Sequence, residues 1–301
     1  MIRFDAVSKT YPGGTAAVED FSLRIPERTT TVFLGTSGCG KTTLMRMVNA
    51  MVAPTSGRVL VRGKDVAEQD PVALRRSIGY VLQEGGLFPH RTIADNIATV
   101  PLLEGAPRRQ ARARALELMD LVGLASRLTT SFPHELDGGR RQRIGIARAL
   151  ALSPQFIVCD EPVSALDVSI QAQILNLMQD LQRDLGLTYM FITHDLSVVK
   201  HLSDEIAVMY LGQVVELASA DEVFANPLHP YTRALLSAIP TPDPDFVTER
   251  IILRGEISSP IDPKPGCRFA GRCVDATPAC SEADVPLREV APGHLCACTL
   301  C

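Results

Sequence analysis

The sequence predicts an α/β fold: a mostly parallel sheet alternating with amphipathic helices, interrupted by a helical insertion and followed by a loop-rich extension. Three observations carry this. Short apolar, partly β-branched runs recur at Thr31 to Leu34, Val59 to Val61, Phe156 to Cys159, Thr188 to Ile192 and Ile206 to Met209. Helical periodicity separates several of them, at Leu44 to Met51, Ala111 to Leu121 and Ile170 to Leu181, and strands alternating with helices imply a parallel sheet covered by helices. Finally, 11 of the 21 prolines fall in the last 76 residues. Proline at that density breaks helices and central strands, so 226–301 reads as an extension and not as more sheet. Residues 86–145 are helix-rich with few strand-like runs and read as helices inserted into the body formed by 1–225.

Composition narrows the function. Thirty basic residues against 34 acidic ones give a net charge of -4, so no global positive field recruits nucleic acid. The longest run without Asp, Glu, Lys or Arg is 12 residues, too short for a helix crossing about 30 Å of hydrocarbon. The opening MIRFDAVSK is charged where a secretory signal needs an apolar segment, which predicts a cytosolic chain.

Between the runs TVFL and TLMRMVNAM lies GTSGCGKTT, comprising Gly35, Thr36, Ser37, Gly38, Cys39, Gly40, Lys41, Thr42 and Thr43. This fits the phosphate-binding loop G-x-x-x-x-G-K-[ST]. Its glycines let backbone N–H groups face phosphate oxygens, and the following helix adds a partial positive charge at its N-terminus. Lys41 would reach the β and γ phosphates and Thr42 would ligate magnesium. Downstream, FIVCDEP ends a buried strand with Asp160 and Glu161, at the edge where open α/β sheets bind ligands. There Asp160 can hold magnesium and Glu161 can polarise an attacking water.

LDGGRRQR, Leu136 to Arg143, lies 17 residues before the DE pair and resembles the LSGGQxQR signature of ATP-binding cassette (ABC) ATPases. Other landmarks agree in order and spacing: Tyr11 as the adenine-stacking aromatic, Gln83 in the Q-loop, SALD from Ser164 to Asp167, and His194 in ITHD as the switch histidine. The resemblance covers essentially the whole chain. It implies a P-loop NTPase (RecA-like) ABC cassette with a helical subdomain, whose partner is a second ATPase subunit. Two ATP molecules would lie between the P-loop of one subunit and Asp137, Gly138 and Gly139 of the other. Glu161, His194 and Gln83 would serve hydrolysis, and Thr42, Gln83 and Asp160 would hold Mg2+. The implied function is an importer motor, peripheral on the cytoplasmic face of the inner membrane. It would drive membrane permease subunits fed by an extracytoplasmic substrate-binding protein. A non-transport ABC ATPase acting on DNA or ribosomes is the rival, but such chains generally carry two cassettes or long insertions between P-loop and signature.

One position departs from the family pattern. The signature serine is Asp137, and a carboxylate about 4 Å from a phosphate oxygen is repelled by ~1 kcal/mol in water and ~4 kcal/mol at an effective dielectric of 20. Arg140, Arg141 and Arg143 are placed to offset that charge. The expectation is a slow or degenerate site, which favours a heterodimer in which the partner's signature serves this P-loop.

The halves resemble different relatives. Up to about His134, YPGGTAAVEDFSL and LRRSIGYVLQEGGLFPHRTIADNIA are similar to ATPases of glycine-betaine, carnitine, choline and other quaternary-amine importers. From Gly138 onward, and above all in NPLHPYTRALLSAIP and GEISSPIDPKPGCRFAGRC, the chain is similar to dipeptide and oligopeptide importer ATPases. The longer and more distinctive half favours peptides.

Six of the eight cysteines lie in the last 35 residues. Cys267, Cys273, Cys280 and Cys298 lack the close pairs that zinc sites favour. A cytosolic setting disfavours disulfides. Several peptide-importer relatives hold a four-iron four-sulfur cluster on a similar tail; zinc, or plain packing of a small lobe, are the alternatives.

Overall fold

The computed structural model describes residues 1–83, 85–239, 250–253, 255, 261 and 265–301, with only the backbone at Ser197. Much of GEISSPIDPKPG and the end of NPLHPYTRALLSAIP lie outside the described residues. The chain divides into two compact units. One comprises Met1, 26–29 and 68–191; the other comprises 2–25, 30–67 and 192–301.

The second unit begins with β1 (Ile2–Tyr11) and β2 (Thr15–Ile25), an antiparallel hairpin turned by Gly13 and Gly14. These strands were not among the sequence-derived runs, because their side chains alternate between core and solvent instead of forming a continuous apolar block. They join β4 (Ser56–Val61) and β5 (Lys64–Asp65) in the order β2-β1-β4-β5. All five residues of β3 (Thr30–Leu34) are buried, and the strand runs directly to the phosphate-binding loop and α1 (Lys41–Val48). The helix was expected over Leu44 to Met51. It begins a turn earlier because Gly40 caps it in a left-handed conformation, and ends at Asn49, whose side chain accepts the Met51 N–H at 3.2 Å.

The first unit carries α2 (Pro71–Ser77) and β6 (Gly79–Val81), then the expected helical stretch: α3 (Ile93–Leu103), α4 (Arg108–Leu121) and α5 (Gly138–Ala149). β7 (Phe156–Asp160) pairs in parallel with β6, α6 (Val168–Leu185) follows, and β8 (Thr188–Thr193), whose residues through Phe191 belong to this unit, lies beside β7. Ile97, Leu118, Ile144, Ile157 and Ile174 are completely buried and form its core.

Back in the second unit, α7 (Leu196–Leu202) precedes β9 (Glu205–Tyr210), which pairs in parallel with β3 and antiparallel with β10 (Gln213–Ser219). Two short helices follow, α8 (Ala220–Ala225) and α9 (Pro230–Leu236). The expectation that the extension adds no sheet is overturned. β11 (Arg288–Ala291) and β12 (His294–Cys296) form a hairpin turned at Gly293, and β12 pairs with β10. No proline falls within either strand, so the clustered prolines bound this sheet without breaking it.

Candidate functional site

In the second unit, the phosphate-binding loop is shaped by steric exclusion. A Cβ on Gly35 would stand 2.4 Å from the Met209 carbonyl oxygen, and one on Gly40 2.4 Å from that of Ala17. Gly40 also has φ +105, a conformation open to glycine and costly for other residues. Gly38, at φ +79, has no neighbour within 4 Å and forms the open crest. The glycines thus do two jobs: two press the loop onto the sheet and one leaves its outer face bare. The Cys39 carbonyl accepts the Gly212 N–H at 2.9 Å, tying the loop to the β9–β10 turn.

Lys41 lies folded over its own loop, donating to the Gly35 carbonyl at 2.6 Å and to that of Thr36 at 2.9 Å, with Cys39 Sγ at 3.5 Å. Burial pushes the Cys39 thiol up, opposed by the adjacent ammonium, so this cysteine is a small buried filler. Ser37 and Thr42 are exposed and Thr43 half-buried at the loop and first helical turn. Tyr11 closes β1 half-buried, with Lys9 Nζ 5.4 Å from its ring centroid. His194 is exposed just beyond β8.

In the first unit, Phe156 to Cys159 are buried, and the strand releases Asp160 and Glu161 half-buried at its C-terminal end. Glu161 has φ +47, an uncommon conformation for a residue with a side chain; its carbonyl accepts the Ser164 hydroxyl at 3.1 Å. Gln83 is exposed after β6. Its loop is held from behind by the signature helix: Gln142 donates to the Leu82 carbonyl at 3.3 Å, and Arg148 to those of Gly85 and Gly86 at 2.6 and 2.7 Å. Burial lowers the Arg148 pKa.

Asp137 is the N-cap of α5, accepting the Arg140 N–H at 2.8 Å. Of the three arginines expected to offset its charge, Arg140 pairs with it at 3.4 Å, whereas Arg143 donates at 2.6 Å to the Val122 carbonyl. The glycines after it have a role that sequence reasoning missed. A Cβ on Gly138 would meet Leu166 at 2.9 Å and one on Gly139 would meet Ile170 at 2.6 Å. Their small size therefore seats α5 against SALD and the start of α6.

The tail does not form the expected four-thiolate site. Among the described residues no group of three or more His, Cys, Asp or Glu side chains is placed to hold a metal ion. Cys280 Sγ lies 3.4 and 3.3 Å from the Thr277 and Thr299 hydroxyls, and Cys298 Sγ accepts the Leu300 N–H at 3.4 Å. Burial pushes the thiols of Cys267, Cys273 and Cys298 up, the last to about 11, whereas hydrogen bonds from the Thr277 and Thr299 hydroxyls lower that of Cys280. Neither cluster nor zinc is supported. What fastens the extension is buried Glu216 on β10. It accepts the N–H groups of Leu228 and His229 at 2.8 and 2.9 Å and contacts His294 Nε2 at 2.8 Å.

The sequence matches the family described as ABC transporter over residues 18–164 and the oligopeptide/dipeptide transporter C-terminal region over residues 215–280. It is 48% identical over 297 residues to the oligopeptide transport ATP-binding protein OppF of Escherichia coli, covering 95% of this chain and 88% of that protein. Identity to YkfD of Bacillus subtilis, provisionally named an oligopeptide transport ATP-binding protein, is 45% over 309 residues, covering 99% and 93%. These relatives span the N-terminal half as well, and the quaternary-amine likeness expected there is not carried by them. Among solved structures, a post-hydrolysis dimer of an ATP-binding cassette bound to ADP and Pi matches with TM-score 0.66 and 30% identity over 73% of this chain and 99% of that one. A cbiO1 protein of Clostridium perfringens, part of the ABC transporter complex cbiONQ, matches with TM-score 0.70 and 29% identity over 75% and 90%. No helix among the described residues is long and apolar enough to cross a membrane. With a glycine-shaped phosphate loop, a strand ending in Asp-Glu and these likenesses, the chain belongs to the ABC transporter ATPases, in the group that carries the oligopeptide/dipeptide transporter C-terminal region.

Proposed function

We propose that this ATPase powers uptake of oligopeptides or dipeptides through a membrane permease, acting from the cytoplasmic face of a bacterial inner membrane. The observation that carries the reading is the match of residues 215–280 to the oligopeptide/dipeptide transporter C-terminal region, joined to 48% identity with OppF. The cassette is the 1–225 segment and the extension is 226–301. The loop from Gly35 to Thr43 holds the ATP phosphates. Its steric profile supports this: a bare crest at Gly38 is the surface on which an anion can approach backbone N–H groups. An incoming phosphate would compete for Lys41 with the loop carbonyls that the ammonium now contacts.

Thr42, Gln83 and Asp160 are the candidate Mg2+ ligands; bound magnesium would neutralise phosphate charge. Glu161 orients the attacking water as general base, His194 donates to the γ-phosphate, and Tyr11 stacks on adenine. Asp137, Gly138 and Gly139 serve the nucleotide of a partner ATPase. A heterodimer is favoured, since in a homodimer both signatures would carry the Asp137 carboxylate. An extracytoplasmic binding protein delivers the peptide.

The test is reconstitution of the protein with its permease and binding protein in vesicles. Peptide should stimulate ATP hydrolysis and accumulate inside, while glycine betaine does neither. Stimulation by betaine and not by peptide refutes the reading.

A further inference from the structure

A side chain of the extension reaches the phosphate-binding loop. Tyr231, on α9, is 1% exposed, and its hydroxyl oxygen accepts the Thr36 N–H at 3.3 Å. Everything around that hydroxyl fixes its position. The ring meets Tyr210 edge-on at 4.8 Å and Phe269 at 5.3 Å, and Tyr210 and Phe269 pack edge to face at 5.2 Å. His229 Nδ1 accepts the Tyr231 N–H at 3.0 Å, so the helix start is capped where the tyrosine emerges. The His229 backbone is in turn held by buried Glu216. Phe269 itself belongs to the far part of the extension, and the neighbouring Arg268 is bound to Glu19 and to the Leu211 carbonyl.

We infer that Tyr231 is a positioning residue of the nucleotide site: its hydroxyl holds the first peptide of the phosphate-binding loop. The C-terminal extension is thereby part of the machinery that binds ATP. The inference rests on the reading of Gly35 to Thr43 as the phosphate cradle. Thr36 lies between the elements, since β3 ends at Leu34 and α1 begins at Lys41, and among the described residues its N–H donates to the Tyr231 hydroxyl. A loop of this kind binds phosphate well only if its N–H groups are held in place beforehand. Tyr231 supplies that hold from outside the loop, without touching the nucleotide.

Tyr231→Phe removes the hydroxyl and keeps the ring packing. The expected result is a Kd for magnesium-ADP, measured by titration calorimetry, about five-fold weaker, the equivalent of one neutral hydrogen bond at ~1 kcal/mol. KM for ATP rises similarly while kcat stays within about two-fold, because no reacting atom is touched. Hydrogen exchange of the peptide covering residues 35–41 speeds up in the ligand-free variant, a direct readout even where stability also falls. Tyr210→Phe is the control: its hydroxyl is buried without a partner among the described residues, so its loss leaves Kd and loop exchange unchanged. If Tyr231→Phe binds magnesium-ADP and protects the loop as the native protein does, the inference fails alone. If the native protein binds no nucleotide, the cradle reading fails and the inference with it.

Discussion

Replacing Asp137 with serine separates helix capping from charge. The carboxylate accepts the Arg140 N–H at 2.8 Å, and serine caps a helix about as well as aspartate. The ion pair with Arg140 is long at 3.4 Å, with about half of each side chain in solvent, and such pairs are worth roughly 0.5 kcal/mol or less. The melting temperature should therefore move by no more than about 2 °C. Activity is a different matter if the signature faces the γ-phosphate of a partner's ATP. Removing one negative charge about 4 Å from a phosphate oxygen relieves ~1 kcal/mol at the dielectric of water and ~4 kcal/mol at 20. The lower figure alone is roughly five-fold. With Glu161→Gln in this chain silencing the other composite site of the heterodimer, steady-state phosphate release by the reconstituted transporter should rise at least five-fold for Asp137→Ser. Asp137→Asn, which keeps the shape and cap but loses the charge, should behave alike. Equal rates for all three proteins at matched stability would refute the charge argument.

Two other perturbations follow from the geometry. Gly40→Ala places a Cβ 2.4 Å from the Ala17 carbonyl at φ +105, which costs roughly 1–3 kcal/mol for the backbone alone; nucleotide binding should be abolished and the melting temperature lowered. Gly38→Ala meets no neighbour but bears a comparable backbone strain at φ +79, so it should lower the melting temperature by less than Gly40→Ala, by the share due to the clash; an equal loss of stability in both variants would count against the steric account. Burial, reinforced by the Arg233 charge, holds the His229 pKa at about 4, below its ordinary 6.5. Between those values the unfolded chain takes up a proton that the native protein does not. Stability is complete above about pH 6.5 and falls as pH drops toward 4, by up to about 3 kcal/mol. Urea unfolding at pH 7.5 and 4.5 measures this, and His229→Asn should flatten the difference; an unchanged fall would show that other groups cause it.

Much of the site was legible because it is written in short, contiguous strings. Gly35 to Thr43 and Phe156 to Glu161 each join a buried strand to a turn, so local periodicity and residue type suffice to place them. The glycines of the signature were legible as a helix start, but their contacts with Leu166 and Ile170 were not, since nothing in the string says what packs against it. The β1–β2 hairpin escaped a search for apolar blocks because its strands alternate. The tail misled twice. Proline density masked β11 and β12, whose pairing depends on β10 being available. Cysteine spacing suggested a metal site, yet Cys280 lies against two threonine hydroxyls, Cys298 accepts a backbone N–H, and the described side chains form no metal-holding group.

By itself, then, the sequence determined the α/β class, the phosphate loop, the Asp-Glu strand end and the kinship with ABC ATPases. Each is encoded in residues adjacent along the chain, where backbone geometry and chemistry are local. Only the tertiary structure decided that Tyr231 meets Thr36, that Glu216 fastens the extension, and that the tail adds strands. Those contacts join residues far apart in sequence: Tyr231 and Thr36 are separated by 195 positions, and Glu216 and His294 by 78. No local pattern carries such a pairing. It arises when burial of Phe269 and its ring neighbours closes the long loop between them.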